Sequence, residues 1–449
     1  MNTHFDIIIT GGTVLLSHPK NPYNIVEESV DIGILNGQIT KIGSLSSFYA
    51  KHTFKAKGLH ILPGLIDTQV HFREPGMEHK ENIESGSRSA LLGGITAFFD
   101  MPNTTPPTVT TETLEDKLNR AESSSWCDFA FFIGASPDNV HNLPTLAHAK
   151  HCCGVKIFMG SSTGSLLLHE TEKLDHILQN ISTKPIAIHS EDEERLRERK
   201  KIALSNPGKV HLHPVWRDPE CALISTKKII NLAKKYNRKV HILHVTTEEE
   251  IQFLSAYKES GTVEVTPQHL TLMAPDCYDR LGTLAQMNPP IREERHQAAL
   301  WKGIHSGVVT MLGSDHAPHS LEEKEKHYPH SPAGMPGTQT MLTLMLDHVN
   351  DKKLSLKRLT ELLAVNPHRY YNIEKQGLIR EGFKANITIV DLKKKRKITK
   401  EWLASKCNWS PFENKETTGW PVAVLLNGQW AMREDELIGP SKGQAMTFL

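Results

Sequence analysis

Five residues whose side chains can bind a metal ion or carry a proton lie in or just after short apolar runs: His71, Lys156, His189, His244 and Asp315. Neutral imidazoles and a carboxylate are ligands that suit zinc, and less often manganese or iron. A lysine ammonium cannot bind a cation. A lysine shielded from water, however, has a lowered pKa and can react with carbon dioxide to form an anionic carbamate that bridges metals. The residue types therefore predict a metal site that includes a carboxylated Lys156.

Each of these residues also has an ordinary structural explanation when it is taken alone. A single histidine at the end of a strand is usually only hydrogen-bonded, Lys156 could extend to the surface, and Asp315 could cap a helix. The pair His211 and His213 lies in a loop with proline and glycine, so we do not assign it to the metal site. The functional interpretation depends on all five residues occurring together at successive strand ends.

The segment after the apolar run 59–66 places Gln69 and His71 two residues apart. Because side chains alternate along a strand, both point to the same side. A metal-bound water is acidic enough to react near neutral pH, and Asp315 could carry its proton to a leaving nitrogen. Arg73, Asn103 and His319 offer charge-assisted and neutral hydrogen bonds to a substrate carboxylate.

The elements that must position these residues alternate between β-branched runs and amphipathic helical patterns from Ile61 onward. Such alternation predicts a closed (β/α)8 barrel, in which strand ends meet at one face. An open doubly wound sheet is the alternative, but no glycine-rich dinucleotide-binding turn follows a strand. The predicted strands are Ile61–His71, Ile95–Met101, Asp128–Gly134, Gly154–Met159, Pro185–His189, Lys239–Val245, Thr262–Pro267 and Val308–Ser314.

Both ends of the chain have short strand patterns with turn sequences such as Asn36-Gly37 and Asn427-Gly428. We expect them to fold together as a small β-sandwich. The predicted domains are therefore residues 1–58 plus 383–449 for the β-sandwich and residues 59–382 for the barrel.

The composition excludes several classes of protein. The net charge of +1 over 449 residues gives no field that would attract nucleic acid. No apolar run reaches the roughly 18 residues that a membrane span needs, and the start lacks the pattern of a secretion signal. The six cysteines have no disulfide-framework spacing, which favours reduced thiols and a cytoplasmic location.

The motifs resemble those of the amidohydrolase superfamily, and more closely those of dihydroorotases of the long-chain bacterial type. The matching segments extend over residues 5–430, nearly the whole chain. They are Gly64–Gly76, Met101–Thr104, Lys156–Gly164, His189–Glu193, Leu243–Thr247, Glu264–His269, Asn288–Arg292, Gly313–His319 and Pro332–Gly334.

The resemblance implies reversible interconversion of dihydroorotate and N-carbamoyl-aspartate, a step of pyrimidine biosynthesis. It implies that His71 binds the more buried metal, that carboxylated Lys156 bridges, and that Asp315 is both a ligand and the general acid/base. The second metal would be bound by His189 and His244. The residues implied to hold the substrate are Arg73, Asn103 and His319 at its carboxylate, and Asn288, Ala333 and Gly334 at its ring.

The sequence departs from the resemblance at Gln69, where the family pattern has the first histidine of His-x-His. A glutamine oxygen is a weak neutral ligand for zinc. Our hypothesis is therefore one tightly bound zinc ion at Lys156, His189 and His244, with the other position weak or empty. Two alternatives to an active dihydroorotase stay open: an inactive scaffold that partners an aspartate carbamoyltransferase, and another cyclic amidase of the dihydropyrimidinase or allantoinase type. A homodimer is a further expectation, and residues 320–331 are either a loop that closes over the substrate or plain surface.

Overall fold

The computed structural model describes residues 4–162, 166–440 and 443–449, and these form three β-sheets. Thr163 and Gly164, at the end of the matched segment Lys156–Gly164, lie outside the described residues. The strands before the barrel are β1 (His4–Thr10), β2 (Thr13–His18), β3 (Asn21–Ser29), β4 (Asp31–Leu35), β5 (Gln38–Gly43), β6 (Tyr49–Lys55) and β7 (His60–Pro63). The barrel strands are β8 (Leu65–Val70), β9 (Ile95–Asp100), β10 (Asp128–Gly134), β11 (Cys152–Phe158), β12 (Ile186–His189), β13 (Val240–Ile242), β14 (Gly261–Val265) and β15 (Met311–Leu312). The last strands are β16 (Ile387–Lys397), β17 (Glu416–Leu426), β18 (Gln429–Arg433) and β19 (Glu436–Leu437).

Helices follow most barrel strands. The α-helices are α1 (Ile83–Leu92), α2 (Thr111–Ser124), α3 (Leu143–Leu146), α4 (Thr171–Asn180), α5 (Glu193–Leu204), α6 (His213–Trp216), α7 (Pro219–Lys235), α8 (Glu248–Ser255), α9 (Pro267–Thr271), α10 (Asp276–Leu281), α11 (Glu294–His305), α12 (Leu321–Lys324), α13 (Thr338–Asn350), α14 (Leu356–Thr360) and α15 (Asn366–Tyr371). Short 3₁₀ segments are Val210–Leu212, Gly282–Ala285 and Lys400–Trp402, and Glu361–Val365 is a π-helical turn.

The strands β8 to β15 pair in sequence order and are parallel, as the barrel prediction requires. The barrel closes where the segment after β15 meets β8. There, the N–H of His71 donates to the carbonyl of His316 at 2.8 Å, and the N–H of Ser314 donates to the buried Asp67 carboxylate at 2.9 Å. The (β/α)8 prediction is confirmed.

Side chains alternate along the barrel strands between two buried layers. Phe98 and Phe129 pack in the large apolar cluster that includes residues of the surrounding helices, whereas Phe99 and Phe132 pack in a smaller cluster with Tyr371 and Met446. Such alternation is the pattern of a barrel whose interior is filled by side chains. No helix in the described ranges has the length and apolar character needed to cross a bilayer.

The two ends of the chain form the other two sheets, in the strand orders β5-β4-β1-β6 and β19-β18-β17-β16-β7-β2-β3. The predicted continuous strand Ile61–His71 is wrong, because β7 belongs to the second of these sheets and β8 to the barrel. The break falls at Gly64, whose N–H donates to the carbonyl of Asn386 at 2.7 Å. A Cβ at this position would lie 2.5 Å from Thr96 Oγ1, so the chain passes through a space that only glycine fits.

A buried ion pair anchors the end of β9 to α2. Lys117 Nζ donates to Asp100 Oδ2 and to the carbonyl of Met101, and both charged side chains are fully buried. The other oxygen of Asp100 accepts the N–H of Phe72 at 2.8 Å. The pair therefore holds the backbone between His71 and Arg73, two of the predicted site residues.

The substitution Lys117→Met is expected to lower the free energy of unfolding by about 3–5 kcal/mol, because it leaves the Asp100 carboxylate buried without its counter-ion. Urea denaturation followed by circular dichroism measures this loss. The double variant Asp100→Asn/Lys117→Met should recover part of it, because asparagine removes the charge and keeps an acceptor for Phe72. A single variant within about 1 kcal/mol of the parent would contradict the role of the pair.

Candidate active site

The carboxyl ends of the barrel strands surround one small cavity. Lys156 lies within β11 and His189 ends β12. Gln69 lies within β8, and His71, Asn103, His244 and Asp315 follow the ends of β8, β9, β13 and β15. The predicted residues that line the cavity are Gln69, His71, Arg73, Asn103, Lys156, His189, His244, Asn288, Asp315, Ala333 and Gly334. The structure thus brings together side chains from strands that are far apart in the sequence.

Three of these residues have a left-handed backbone that non-glycine residues seldom adopt. The φ angles are +64° at Arg73, +37° at His244 and +43° at Asp315. Each lies just beyond a barrel strand, where the chain turns away from the sheet. Strained conformations of this kind persist where the surroundings enforce them, and they cluster at functional sites.

His189 and His244 form one half of the site. Nδ1 of His189 lies 3.1 Å from Nε2 of His244, and Nε2 of His189 lies 2.9 Å from Oε2 of Glu191. Burial lowers the pKa of both histidines, that of His244 well below its usual value, so both rings are neutral at pH 7. Because a carboxylate only accepts hydrogen bonds, the proton of His189 is on Nε2. This leaves the lone pair of Nδ1 directed toward His244.

Glu191 and its partner Arg217 are site residues for which the sequence predicted no role. Both are buried, and the guanidinium of Arg217 donates to both carboxylate oxygens of Glu191. Burial alone would raise the pKa of Glu191, but Arg217 and His189 outweigh burial and hold it below the usual range. The run of charged residues 191–201 has, by its sequence, the pattern of a solvated helix with i,i+4 ion pairs. Only α5, which begins at Glu193, fits that description, and the His-x-Glu spacing of an extended strand was the pattern that could have identified Glu191.

His71 and Asp315 form the other half of the site. Nδ1 of His71 lies 2.6 Å from Oδ1 of Asn103, which can only accept, so the proton of the neutral ring is on Nδ1. Burial lowers the pKa of His71 and favours this neutral form. Its Nε2 therefore presents a lone pair, and it lies 3.2 Å from Oδ1 of Asp315. Two electron-rich atoms face each other here, an arrangement that suits a cation.

Gln69 lies beside this pair. Its Nε2 donates to Oδ1 of Asp315 at 3.1 Å, whereas its Oε1 is buried and has no hydrogen-bond partner among the described residues. The opposite amide orientation would direct Oε1 at a carboxylate and would be repulsive. The side chain of Gln69 therefore directs an N–H donor toward Asp315. A metal ligand at this position would have to direct a lone pair there.

Lys156 is fully buried on the same cavity. Burial lowers the pKa of its amine to about 7, although the charges of Asp315 and Glu264 oppose the shift. Its Nζ lies 4.5 Å from the centre of the Phe158 ring, and no described residue accepts a hydrogen bond from it. Its charge lowers the pKa of His71, His189 and His244, which places the amine near both halves of the site. A substantial fraction of Lys156 is thus the neutral amine that reacts with carbon dioxide.

The donor set fits a metal ion only with Lys156 carboxylated. Within the described ranges, no three His, Cys, Asp or Glu side chains are close enough together to hold a metal ion. Each half of the site instead offers two such groups, and the unpartnered amine of Lys156 lies on the cavity that both share. A carbamate on Lys156 would add the missing anionic ligand to either half.

Arg73 provides the cationic wall of the cavity. Its Nε donates to the carbonyl of Pro318 at 3.1 Å, and its Nη2 lies 3.3 Å from Nε2 of His319. Its Nη1 is buried and lacks a hydrogen-bond partner in the described structure. Burial lowers the pKa of Arg73 to about 10, so it remains charged at neutral pH. His319 is fully buried beside Arg73 and does not itself line the cavity.

Buried side chains also fix the part of the wall that Asn288, Ala333 and Gly334 form. Oδ1 of Asn288 accepts from Nε2 of His213 at 2.9 Å. Lys324, on α12, donates to three backbone carbonyls, those of Gln286, Pro332 and Gly334, at 2.9–3.0 Å. Residues 320–331 were expected to be either a loop that closes over the substrate or plain surface. Lys324 is fully buried, so plain surface does not describe this part of the segment.

Comparison with known proteins agrees with this architecture. The model of the amidohydrolase family matches residues 60–431. A dihydroorotase of Methanosphaera stadtmanae is 33% identical over 93% of this chain and 96% of its own length, and one of Pyrococcus furiosus is 36% identical over 92% and 91%. The solved structure of L-hydantoinase (dihydropyrimidinase) from Arthrobacter aurescens superposes with a TM-score of 0.92 at 26% identity, covering 99% of this chain and all of the other. On the extent of these matches, the chain belongs to the amidohydrolase family.

Proposed function

We propose that this protein is a dihydroorotase of the long-chain bacterial type, which interconverts (S)-dihydroorotate and N-carbamoyl-L-aspartate in pyrimidine biosynthesis. The observation that carries the proposal is the buried Arg73 guanidinium, whose Nη1 has no hydrogen-bond partner in the described ranges and which lines the same cavity as Lys156 and Asp315. Carboxylates such as Asp315 act on its charge from a distance, but none of the described ones forms a salt bridge with it, so an anionic substrate would supply a direct partner. Dihydroorotate carries a carboxylate next to its cyclic amide. The dihydroorotases of Methanosphaera stadtmanae and Pyrococcus furiosus support the same assignment.

Zinc is the metal that best suits two neutral imidazoles and a carbamate. Carboxylated Lys156, His189 and His244 would hold one ion tightly. The ion would supply Lewis acidity and lower the pKa of the attacking water. His71 and Asp315 complete the second position only in part, because the Gln69 amide directs its N–H at Asp315.

The chemical step requires a proton carrier and an oriented ring. Asp315 takes the proton of the attacking water as the new C–O bond forms, and it delivers that proton to the ring nitrogen as the C–N bond breaks. Arg73 and Asn103 hold the substrate carboxylate, with His319 supporting Arg73 from behind. Asn288 and the backbone of Ala333 and Gly334 contact the ring. In the reverse direction the same groups close the ring.

Another cyclic amidase is the second candidate, because the L-hydantoinase structure superposes over nearly the whole chain. A hydantoin or dihydropyrimidine ring without a carboxylate would leave the buried Arg73 unpaired, which disfavours this alternative. An inactive scaffold that binds an aspartate carbamoyltransferase would explain Gln69. It would not explain why Arg73 and Lys156 keep polar atoms on the cavity that have no partner among the described residues. A homodimer and a cytoplasmic location remain predictions.

Hydrolysis of dihydroorotate by the purified chain, supplied with zinc and bicarbonate, tests the proposal. Turnover is expected in the parent protein, and the substitution Asp315→Asn should reduce kcat by at least about 100-fold, because it removes the proton carrier. Asparagine tolerates the left-handed backbone at this position, so the thermal midpoint should change little.

Absence of turnover in a folded, zinc-loaded parent would favour the scaffold. Unchanged turnover in Asp315→Asn would remove Asp315 from the mechanism.

The substitution Arg73→Ala should lower kcat/KM for dihydroorotate by roughly 10- to 150-fold, which corresponds to about 1.5–3 kcal/mol for a charge-assisted hydrogen bond. The matched control is dihydrouracil, which has the same ring without the carboxylate. Steady-state assays with both substrates should show that any turnover of dihydrouracil is affected much less. An equal loss for both substrates would mean that Arg73 supports the structure of the site and not the carboxylate.

The substitution Gln69→His should raise the metal content from one tightly bound ion per chain to two, because it supplies the missing imidazole beside His71 and Asp315. Plasma emission spectrometry after extensive dialysis measures the content. Gln69→Leu is the control, and it should stay at one ion. Two tightly bound ions in the parent protein would overturn the one-metal proposal.

A further inference from the structure

A second cavity, of about 660 Å³, opens at the other end of the barrel. It is lined by residues at or just before the starts of the last four barrel strands, such as Lys184, Lys239 and Thr310, and by the segment around α15. Lys239 and His244 are five residues apart along the chain, so an extended backbone separates them by about 16 Å. The cavity is therefore distinct from the active site, and its volume is within the range of small-molecule sites.

The lining of this cavity is strongly cationic. Its charged side chains are Lys184, Arg238, Lys239, Arg358 and Arg369. No carboxylate occurs among the described residues that line it. Behind the lining, Glu361 pairs with Arg358 at 2.9 Å and offsets one of these charges. At least four positive charges remain to act on a molecule in the cavity.

Two of the arginines are held in place before any ligand binds. Nε and Nη2 of Arg358 donate to the carbonyls of Ile304 and Val309 at 3.3 and 2.7 Å. The guanidinium of Arg369 lies 5.1 Å from the centre of the Tyr23 ring. Fixed guanidinium groups lose little conformational freedom when an anion binds, which favours recognition of phosphate oxygens.

Arg238 also lines the cavity and has an N–H group without an acceptor in the described structure. Its Nε is buried and has no acceptor within the part of the chain that the structure describes, and burial lowers the pKa of its guanidinium. A bound anion would supply both an acceptor and a counter-charge. The cationic lining of the cavity therefore favours binding of an anionic ligand.

We propose that this cavity binds a small molecule that carries two or more phosphate groups. A single phosphate would fill only part of the volume, whereas a di- or triphosphate fills more of it and brings more negative charge to the cations that line it. The asparagines and Tyr370 that complete the lining provide polar and aromatic contacts for a group attached to the phosphates.

Isothermal titration of the full chain with inorganic triphosphate, near pH 7.5 and in about 0.15 M salt, tests the proposal. A dissociation constant below about 1 mM is expected. The double variant Lys239→Gln/Arg369→Gln alters two exposed side chains and should fold normally by circular dichroism. It should weaken binding at least about tenfold, and so should Arg238→Gln, which removes the unpartnered donor.

Two controls locate the binding. Arg280→Gln removes an exposed cation of α10 that does not line the cavity, and it should leave the dissociation constant within about twofold. Arg73→Ala alters the active site and should leave triphosphate binding unchanged. Titration with ATP shows whether the ligand is a nucleotide or a polyphosphate. If ATP binds more tightly than inorganic triphosphate, the site recognises a nucleotide; if both bind equally, it recognises the polyphosphate alone. Absence of binding at 1 mM, or loss of binding only in Arg73→Ala, would overturn the proposal.

Discussion

The contact that closes the barrel, between its first and last strands, is the constraint on which the candidate active site depends. His71 follows β8 and Asp315 follows β15, so they are 244 residues apart in the chain and meet only because the two segments pair. The backbone bond from His71 to His316 and the bond from Ser314 to Asp67 hold that contact. Burial raises the pKa of Asp67 to about 6, even though several hydrogen bonds, those with Ser314 foremost, favour its charged form. The closure therefore relies on buried polar bonds immediately beneath the site.

The polar groups of the site divide into those that have partners behind the cavity wall and those that do not. Nδ1 of His71 bonds to Asn103, and Nε2 of His189 bonds to Glu191, so each ring is fixed with the lone pair of its other nitrogen directed toward the partner in its half of the site. In contrast, Lys156 Nζ and Arg73 Nη1 are buried without partners in the described structure. Unpaired buried polar groups are costly for a folded protein. Under the proposed function, carboxylation would remove the first of these unpaired groups and an anionic substrate would bind the second.

Gln69 makes the two halves of this site unequal as positions for a metal ion. Where a histidine would offer a lone pair, the amide offers an N–H that binds Asp315. This bond partly compensates the carboxylate charge that a second cation would otherwise balance, and it keeps Asp315 in position at a strained backbone angle. The half that contains His189, His244 and Lys156 does not involve Gln69. The proposed single metal ion would therefore be bound by that half, whose residues Gln69 does not contact.

The sequence by itself determined the barrel and most of the residues that line the candidate active site, because alternation of strands and helices and the position of a residue at a strand end are local properties. It did not reveal that the predicted strand 61–71 divides at Gly64 between two sheets, since apolar residues continue on both sides of Gly64 from Ile61 to Ile66. It also did not reveal Glu191, Arg217 or Lys324, whose charges are ordinary on a surface and gain meaning only when distant segments bury them. Tertiary structure alone decided three features of the protein. They are the directions of the histidine lone pairs, the direction of the Gln69 amide and the cationic cavity at the far end of the barrel. They arise from contacts between residues far apart in the chain, and no local pattern encodes such contacts.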